Sequence, residues 1–385
     1  MPKILVIKSR HIGDVLLTGP LIASLKAHYS GDESHITALV KKGTEPMLQH
    51  HPAVDRCITY PERERDESRG RFLLRQIGWF RRLRRQYFDL AITTTEGDRG
   101  LLTTGLSGAP RRIGIVKTKA PPWRRRLLTD PVTPRPGRVH TVLRNLDLLP
   151  KEITRSIRQV DLGFIPGRHD RIFDSLIETG YRTDRPLAVV HPTARWFFKC
   201  WTDIGMAAAV DHLQTVHDIQ VVLTRGPGTE ERQKRDTILR LCRSRPMTLE
   251  GEPDLLELAA LLAEADLFIG VDSAPMHMAA ALDTPVVALF GPSGAWDWGP
   301  WPNGWQGEDT PYPAQSGIQR AGLHVVIQDQ RPCIPCGQAG CDNGKRSACL
   351  EELPARTVLR EIDESLRRLN LGRDAEAQSR RKIDS

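Results

Sequence analysis

Two stretches, far apart in the chain, each run from a short apolar segment through a small residue and an acid into a helical pattern: Lys8-Ser-Arg-His-Ile-Gly13-Asp14 and Gly270-Val-Asp272-Ser273-Ala274-Pro-Met-His277. A strand that ends this way offers free backbone N–H groups and the positive end of a helix dipole to an anion. Lys3–Ile7, His35–Val40, Arg56–Tyr60, Asp89–Thr93 and Arg112–Val116 read as strands in the first half. In the second half, Leu187–His191, Ile219–Leu223, Leu267–Val271 and Pro285–Phe290 do the same. Helical periodicity separates them, around Phe72–Phe88, Glu230–Arg243 and Leu255–Ala263, so the expected fold class is α/β with doubly wound parallel sheets.

A chain of 385 residues exceeds what one hydrophobic core usually serves, and the pattern restarts near residue 186. We expect Rossmann-like domains over 1–165 and 186–350. A helix over 354–370 is expected to pack back toward the first domain, and a polar tail over 371–385 to be disordered. The Pro/Arg-rich stretch Pro121–Gly137 reads as a long surface loop. No apolar run approaches the roughly 20 residues needed to span a bilayer, so the expected location is the cytoplasm.

The net charge of +8 comes largely from arginine clusters in the first half, at 81, 82, 84 and 85, at 111 and 112, and at 124–126. Arginine forks suit phosphates and anionic headgroups, so a polyanionic partner or an acidic membrane surface is expected. A nucleic-acid-binding protein would also explain the basic runs, but not Asp14, Glu230 and Asp272 at strand ends, where a phosphate-binding surface would place cations. Cys333, Cys336, Cys341 and Cys349 share one Pro/Gly-containing segment. Structural metal, redox-labile pairing and simple packing thiols are all open for them.

Asp14 is placed either to cap its helix or to act as a general base beyond the strand end. Around Ser273 and Ala274, N–H groups could hold a diphosphate, with Asp272 as a capping acid or acceptor for sugar hydroxyls and His277 one turn on. His191-Pro-Thr193-Ala194-Arg-Trp-Phe-Phe-Lys199 offers a hydroxyl and two cations, Lys199 being the choice for a leaving diphosphate. Glu230, after the Gly226-Pro-Gly228 turn, suits ribose hydroxyls. There is no Gly-x-x-x-x-Gly-Lys-Ser/Thr, no Gly-x-Gly-x-x-Gly in the first loop, and no strand-end Asp-x-Asp, which argues against ATPase, dinucleotide and metal-dependent sugar-transfer readings.

Together these stretches resemble glycosyltransferase family 9, the ADP-heptose:lipopolysaccharide heptosyltransferases. The segment from His191 to Trp201 and the cysteine segment are most similar to the heptosyltransferase III branch. The resemblance implies a GT-B architecture, two Rossmann-like domains facing across a cleft. It implies inverting transfer of heptose from ADP-heptose to a phosphorylated lipid A-core acceptor, without a metal or other cofactor. The enzyme would work at the cytoplasmic face of the inner membrane in peripheral contact with it, with no nucleic-acid partner. Asp14 matches the base and Lys199 the lysine on the donor diphosphate. Thr193, Ala194, Glu230, Asp272, Ser273, Ala274 and His277 fall to the donor, and Arg10, His11 and Gly13 to the acceptor. A heptosyltransferase acting earlier, of type I or II, is the alternative within the family.

Overall fold

The computed structural model describes residues 1–29, 33–163, 170–249 and 251–372. The chain divides into two compact units, Met1–Phe164 and Ile165–Ser385.

The first unit contains strands β1 (Lys3–Lys8), β2 (His35–Val40), β3 (Arg56–Thr59), β4 (Leu90–Thr93), β5 (Arg111–Ile115) and β6 (Asp130–Val132). They pair in the order β3-β2-β1-β4-β5-β6, every neighbour parallel. Ile4, Leu5, Val6 and Ile7 of β1 are all buried, as expected of a central parallel strand covered on both faces. Because β1 is followed on one side by β2 and on the other by β4, the order reverses between β1 and β4. Ligands of open α/β sheets bind outside the carboxyl ends of strands at such a point.

The second unit contains β7 (Leu187–His191), β8 (Gln220–Leu223), β9 (Leu267–Val271), β10 (Val286–Phe290), β11 (Ile318–Ala321) and β12 (His324–Gln328). Their order is β11-β12-β10-β9-β7-β8, parallel except for the edge strand β11. Here the reversal lies between β7 and β9. Gly270 lets these two strands close up, since a Cβ there would stand 2.7 Å from the Phe268 ring and 2.9 Å from the His191 carbonyl. The helix Ala355–Leu369 packs on the helix Asp203–Asp211 and on β10 and β12. Its Val358, Ile362 and Leu366 enter the core of this unit.

Two features differ from the sequence reading. Pro121–Gly137 is not a plain loop: it holds a short helix, Pro122–Arg126, and the strand β6. At three residues with a central proline, β6 has no readable period, and a proline is tolerated because β6 is an edge strand. The hairpin of β11 and β12 lies outside the strands expected from the sequence; it turns at Gly322, whose φ of 58° is the conformation that glycine adopts without strain. The helix Asp170–Glu178 packs on Leu255–Ala263 and so belongs with the second unit. From residue 373 on, the expected polar tail lies outside the described residues.

Candidate functional site

Each unit places a lysine–aspartate pair at its sheet reversal. In the first, β1 ends at Lys8 and the helix Ile12–Leu16 begins four residues later, with Asp14 in its first turn. Lys8 Nζ lies 3.0 Å from Asp14 Oδ1, and the two side chains are 8% and 15% exposed. Lys8 Nζ also donates to the Thr94 carbonyl at 3.2 Å, just past the end of β4. The Ser9 N–H donates to Thr95 Oγ1 at 3.1 Å, so the loops after β1 and β4 are laced together across the reversal. The helix starts without a side-chain cap: His11 occupies the N-cap position and makes no capping bond, which leaves Asp14 to Lys8. Arg10 and His11 are exposed and Gly13 is buried. Lys8, Thr94 and Thr95 were not singled out from the sequence. The buried lysine at a strand end was the available signal, since an unpaired one would be costly.

In the second unit, the loop after β7 carries Lys199 and the loop after β9 carries Asp272. Lys199 Nζ donates to Asp272 Oδ2 at 2.6 Å, the side chains being 23% and 7% exposed. Burial pushes the Asp272 carboxyl up, but the Lys199 charge and hydrogen bond, a hydrogen bond from Ser293 and the nearby His277 together hold it below the usual carboxylate range. Asp272 is therefore not the helix cap suggested by the sequence. Ser273 takes the N-cap position of the helix Ala274–Ala281 without a capping bond, and its Oγ is buried with no partner among the described residues. Since the first-turn N–H groups of a helix have no intrahelical acceptor, this end remains open to an anion. Ala274 is half-buried beside it, and His277 is buried.

Thr193 is fully buried, and its hydroxyl serves the scaffold. The Gly226 N–H donates to Thr193 Oγ1 at 3.1 Å, and Thr193 Oγ1 lies 3.3 Å from His191 Nε2. His191 Nδ1 is 2.9 Å from Thr224 Oγ1, which donates to the Val190 carbonyl at 3.2 Å. One assignment satisfies every group: Gly226 N–H to Thr193, Thr193 O–H to Nε2, Nδ1–H to Thr224, Thr224 O–H to Val190. It requires a neutral imidazole, and burial does lower the His191 pKa to about 4. Ala194, also buried, follows this relay.

The relay holds the turn Gly226–Gly228 at the end of β8. Glu231 reaches back to accept from the Gly228 N–H at 3.1 Å, and a side chain at Gly226 would collide with that carboxylate. Glu230 is thereby left exposed at the start of the helix Thr229–Leu241. Arg225, passed over in the sequence, is nearly buried at the same turn. Its Nη1 donates to the Gly226 carbonyl at 2.9 Å, while its Nε has no partner among the described residues. Trp196 and Phe198 stack with centroids 6.2 Å apart in the loop that presents Lys199.

All seven cysteines are free thiols. Burial raises the Cys349 thiol to about 11, and the charges of Cys341, Cys336 and Cys333 add to the shift.

Comparison with known proteins follows the same lines. Residues 77–307 match the model of glycosyltransferase family 9 (heptosyltransferase). Two proteins called lipopolysaccharide heptosyltransferase 3, from Escherichia coli and from its strain K12, are 30% and 31% identical to this chain. The alignments cover 83% of it and 93% and 92% of those relatives. The solved Escherichia coli ADP-heptose lipopolysaccharide heptosyltransferase II superposes with a TM-score of 0.68 at 22% identity, over 95% of this chain and 99% of that one. A family 9 glycosyltransferase from Veillonella parvula gives 0.75 at 18%, over 95% and 97%. These likenesses carry the fold, which is that of the two-domain GT-B enzymes. With the family model matched over that span and relatives of that identity covering most of both chains, this chain belongs to glycosyltransferase family 9.

Proposed function

We propose that the chain is an inverting transferase that moves L-glycero-D-manno-heptose from ADP-heptose to a hydroxyl of the phosphorylated lipopolysaccharide inner core, adding the side-branch heptose. The observation that carries the reading is the Lys199–Asp272 pair at the second reversal, beside an uncapped helix end, in a chain similar along most of its length to proteins named heptosyltransferase 3. In this mechanism Asp14 takes the proton of the attacking hydroxyl as it adds to C1 of the donor heptose. The C1–O bond to the diphosphate breaks and ADP leaves, its growing charge met by Lys199 and the N–H groups at Ser273–Ala274. Glu230 holds ribose hydroxyls, while Thr193 and Ala194 shape the donor side through the relay. Arg10, His11 and Gly13 face the acceptor.

The lipid-linked acceptor calls for contact with the inner membrane from the cytoplasmic side. No helix among the described residues is long and apolar enough to cross a membrane. The helix Arg69–Arg84 instead exposes Leu73 (57%), Leu74 (71%) and Ile77 (41%) beside Arg81 and Arg82. Exposed leucines beside arginines suit an anionic lipid interface.

The test is transfer in vitro. Purified enzyme and ADP-heptose are offered core glycolipids isolated from defined core mutants, with product read by mass spectrometry. Addition of one heptose to an acceptor already carrying the main-chain heptoses and their phosphates is expected. Transfer only to an acceptor that lacks heptose, or that carries only the first, would reassign the enzyme to an earlier step. Co-sedimentation with anionic vesicles, lost in Leu74→Asp, checks the membrane contact.

A further inference from the structure

Away from the sheet ends, two imidazoles and one carboxylate converge in the second unit. His212 Nε2 and His217 Nε2 lie 2.5 Å and 2.7 Å from the same oxygen, Asp363 Oδ1. The two rings stand edge to face with centroids 4.9 Å apart, and the three ligating atoms lie within 4.8 Å of one another. The His217 side chain is 6% exposed and that of His212 17%, so the cluster is shielded and still reachable by a small ion.

The local fold is built to produce this meeting. The helix Asp203–Asp211 does not simply end; it widens into a π-turn over His212–Val216, and the His217 N–H bonds to the His212 carbonyl at 3.4 Å. On a regular α-helix, residues five apart point about 140° away from each other. An i to i+5 ring brings them back over one another, and such bulges concentrate at functional positions. Asp363 arrives from the helix Ala355–Leu369, anchored by its buried neighbour Ile362. The cluster therefore joins the last helix to the first helix after β7.

We propose that His212, His217 and Asp363 bind one divalent transition-metal ion, zinc, as a structural clasp on the last helix. Two imidazole nitrogens and a carboxylate oxygen suit zinc, with water completing the shell, whereas magnesium and calcium prefer sites made of oxygen alone. On binding, each imidazole gives an unprotonated Nε2 lone pair to the metal in place of its bond to Asp363, and the displaced proton goes to Nδ1 or to solvent. The clasp is independent of the transfer chemistry.

The experiment uses the full chain stripped with chelator and dialysed, then titrated with zinc or, as a control, magnesium. Metal per chain is measured by mass spectrometry and the melting temperature by calorimetry. Because Cys333, Cys336 and Cys341 are exposed thiols, the same measurements are made on the triple Cys→Ser variant. We expect one zinc per chain in that variant and a rise of roughly 5–10 °C at a hundredfold excess over Kd. Cobalt substitution should give a spectrum without a thiolate charge-transfer band. His217→Ala should lose the metal, and so should Asp363→Asn, which retains an oxygen that accepts from both imidazoles. Loss of zinc from the triple Cys→Ser variant, or retention of zinc by both His217→Ala and Asp363→Asn, would overturn the proposal.

Discussion

Lys199 Nζ stands 2.6 Å from Asp272 Oδ2 and thereby joins the loop after β7 to the loop after β9, the two strands between which the second sheet reverses. The aspartate is almost fully buried, so its charge is tolerated chiefly because the ammonium is there, with Ser293 and His277 adding to it. Lys199→Met is expected to leave that charge uncompensated and cost about 3 kcal/mol, the low end for a broken buried pair because Lys199 is partly solvated. Asp272→Asn in the same background should recover most of the loss, with a coupling of about 1–3 kcal/mol in a double-mutant cycle by urea unfolding. Strictly additive losses would mean that the pair contributes nothing as a pair.

Asp14 has a different dependence on its partner. Lys8 keeps a second acceptor, the Thr94 carbonyl, when the carboxylate is altered. Asp14→Asn should therefore remain folded with at most a few kcal/mol lost, while kcat drops by about 10²–10⁴-fold if the carboxylate is the base. Donor affinity, measured by calorimetry with ADP, should be unaffected. Near-normal turnover in this variant would remove Asp14 from the base role.

What could be read from the sequence was whatever a short motif or a clean period records. Ile4–Ile7 and Phe268–Val271 are continuous apolar runs, and Asp14 and Asp272 follow them at fixed offsets, so both strand ends and both acids were visible. Their partners were not equally so. Lys199 was assigned to a ligand rather than to Asp272, because an ion pair across 73 residues leaves no trace in local spacing. For the same reason the sequence leaves Asp272 between a helix cap and an acceptor for sugar hydroxyls, whereas the cap position belongs to Ser273. Glu231 and Glu230 are adjacent acids that a motif cannot separate. The turn uses Glu231 and leaves Glu230 exposed, a distinction that exists only once Gly228 offers its N–H. The edge strands β6 and β11 escaped because short edge strands draw their stability from neighbours, and β12 was not read as a strand with them.

The relay through Thr193 gives a sharper test of positioning. Thr193→Val preserves shape but removes the acceptor of the half-buried Gly226 N–H and the hydroxyl partner of the buried His191 Nε2. At about 1–3 kcal/mol for each such group, the variant should lose about 2–4 kcal/mol in urea unfolding, and Thr193→Ser should restore most of it. Equal stability of the Val and wild-type proteins would show that the hydroxyl bonds are replaceable by water.

His191 also predicts how stability responds to acid. Its pKa in the folded chain is about 4, below the 6.5 expected when unfolded, because burial disfavours the imidazolium. Between those values the unfolded chain carries a proton that the folded chain lacks, so unfolding is favoured as pH falls. The contribution is fully present above pH 6.5, declines through the window and is exhausted near pH 4, a loss of about 3 kcal/mol for a shift of this size. His324, also buried and lowered to about 4, acts over the same window. Asp272, whose carboxyl is held low by Lys199 after burial has pushed it up, adds its own loss only at still more acid pH, as it becomes protonated. Urea midpoints taken every half unit from pH 7.5 to 4 should therefore fall steeply below 6.5, and His191→Asn, which cannot titrate, should flatten part of that slope. An unchanged slope in the variant would mean that His191 is not held neutral in the folded chain, and the directed relay from Gly226 to Val190 would have to be redrawn.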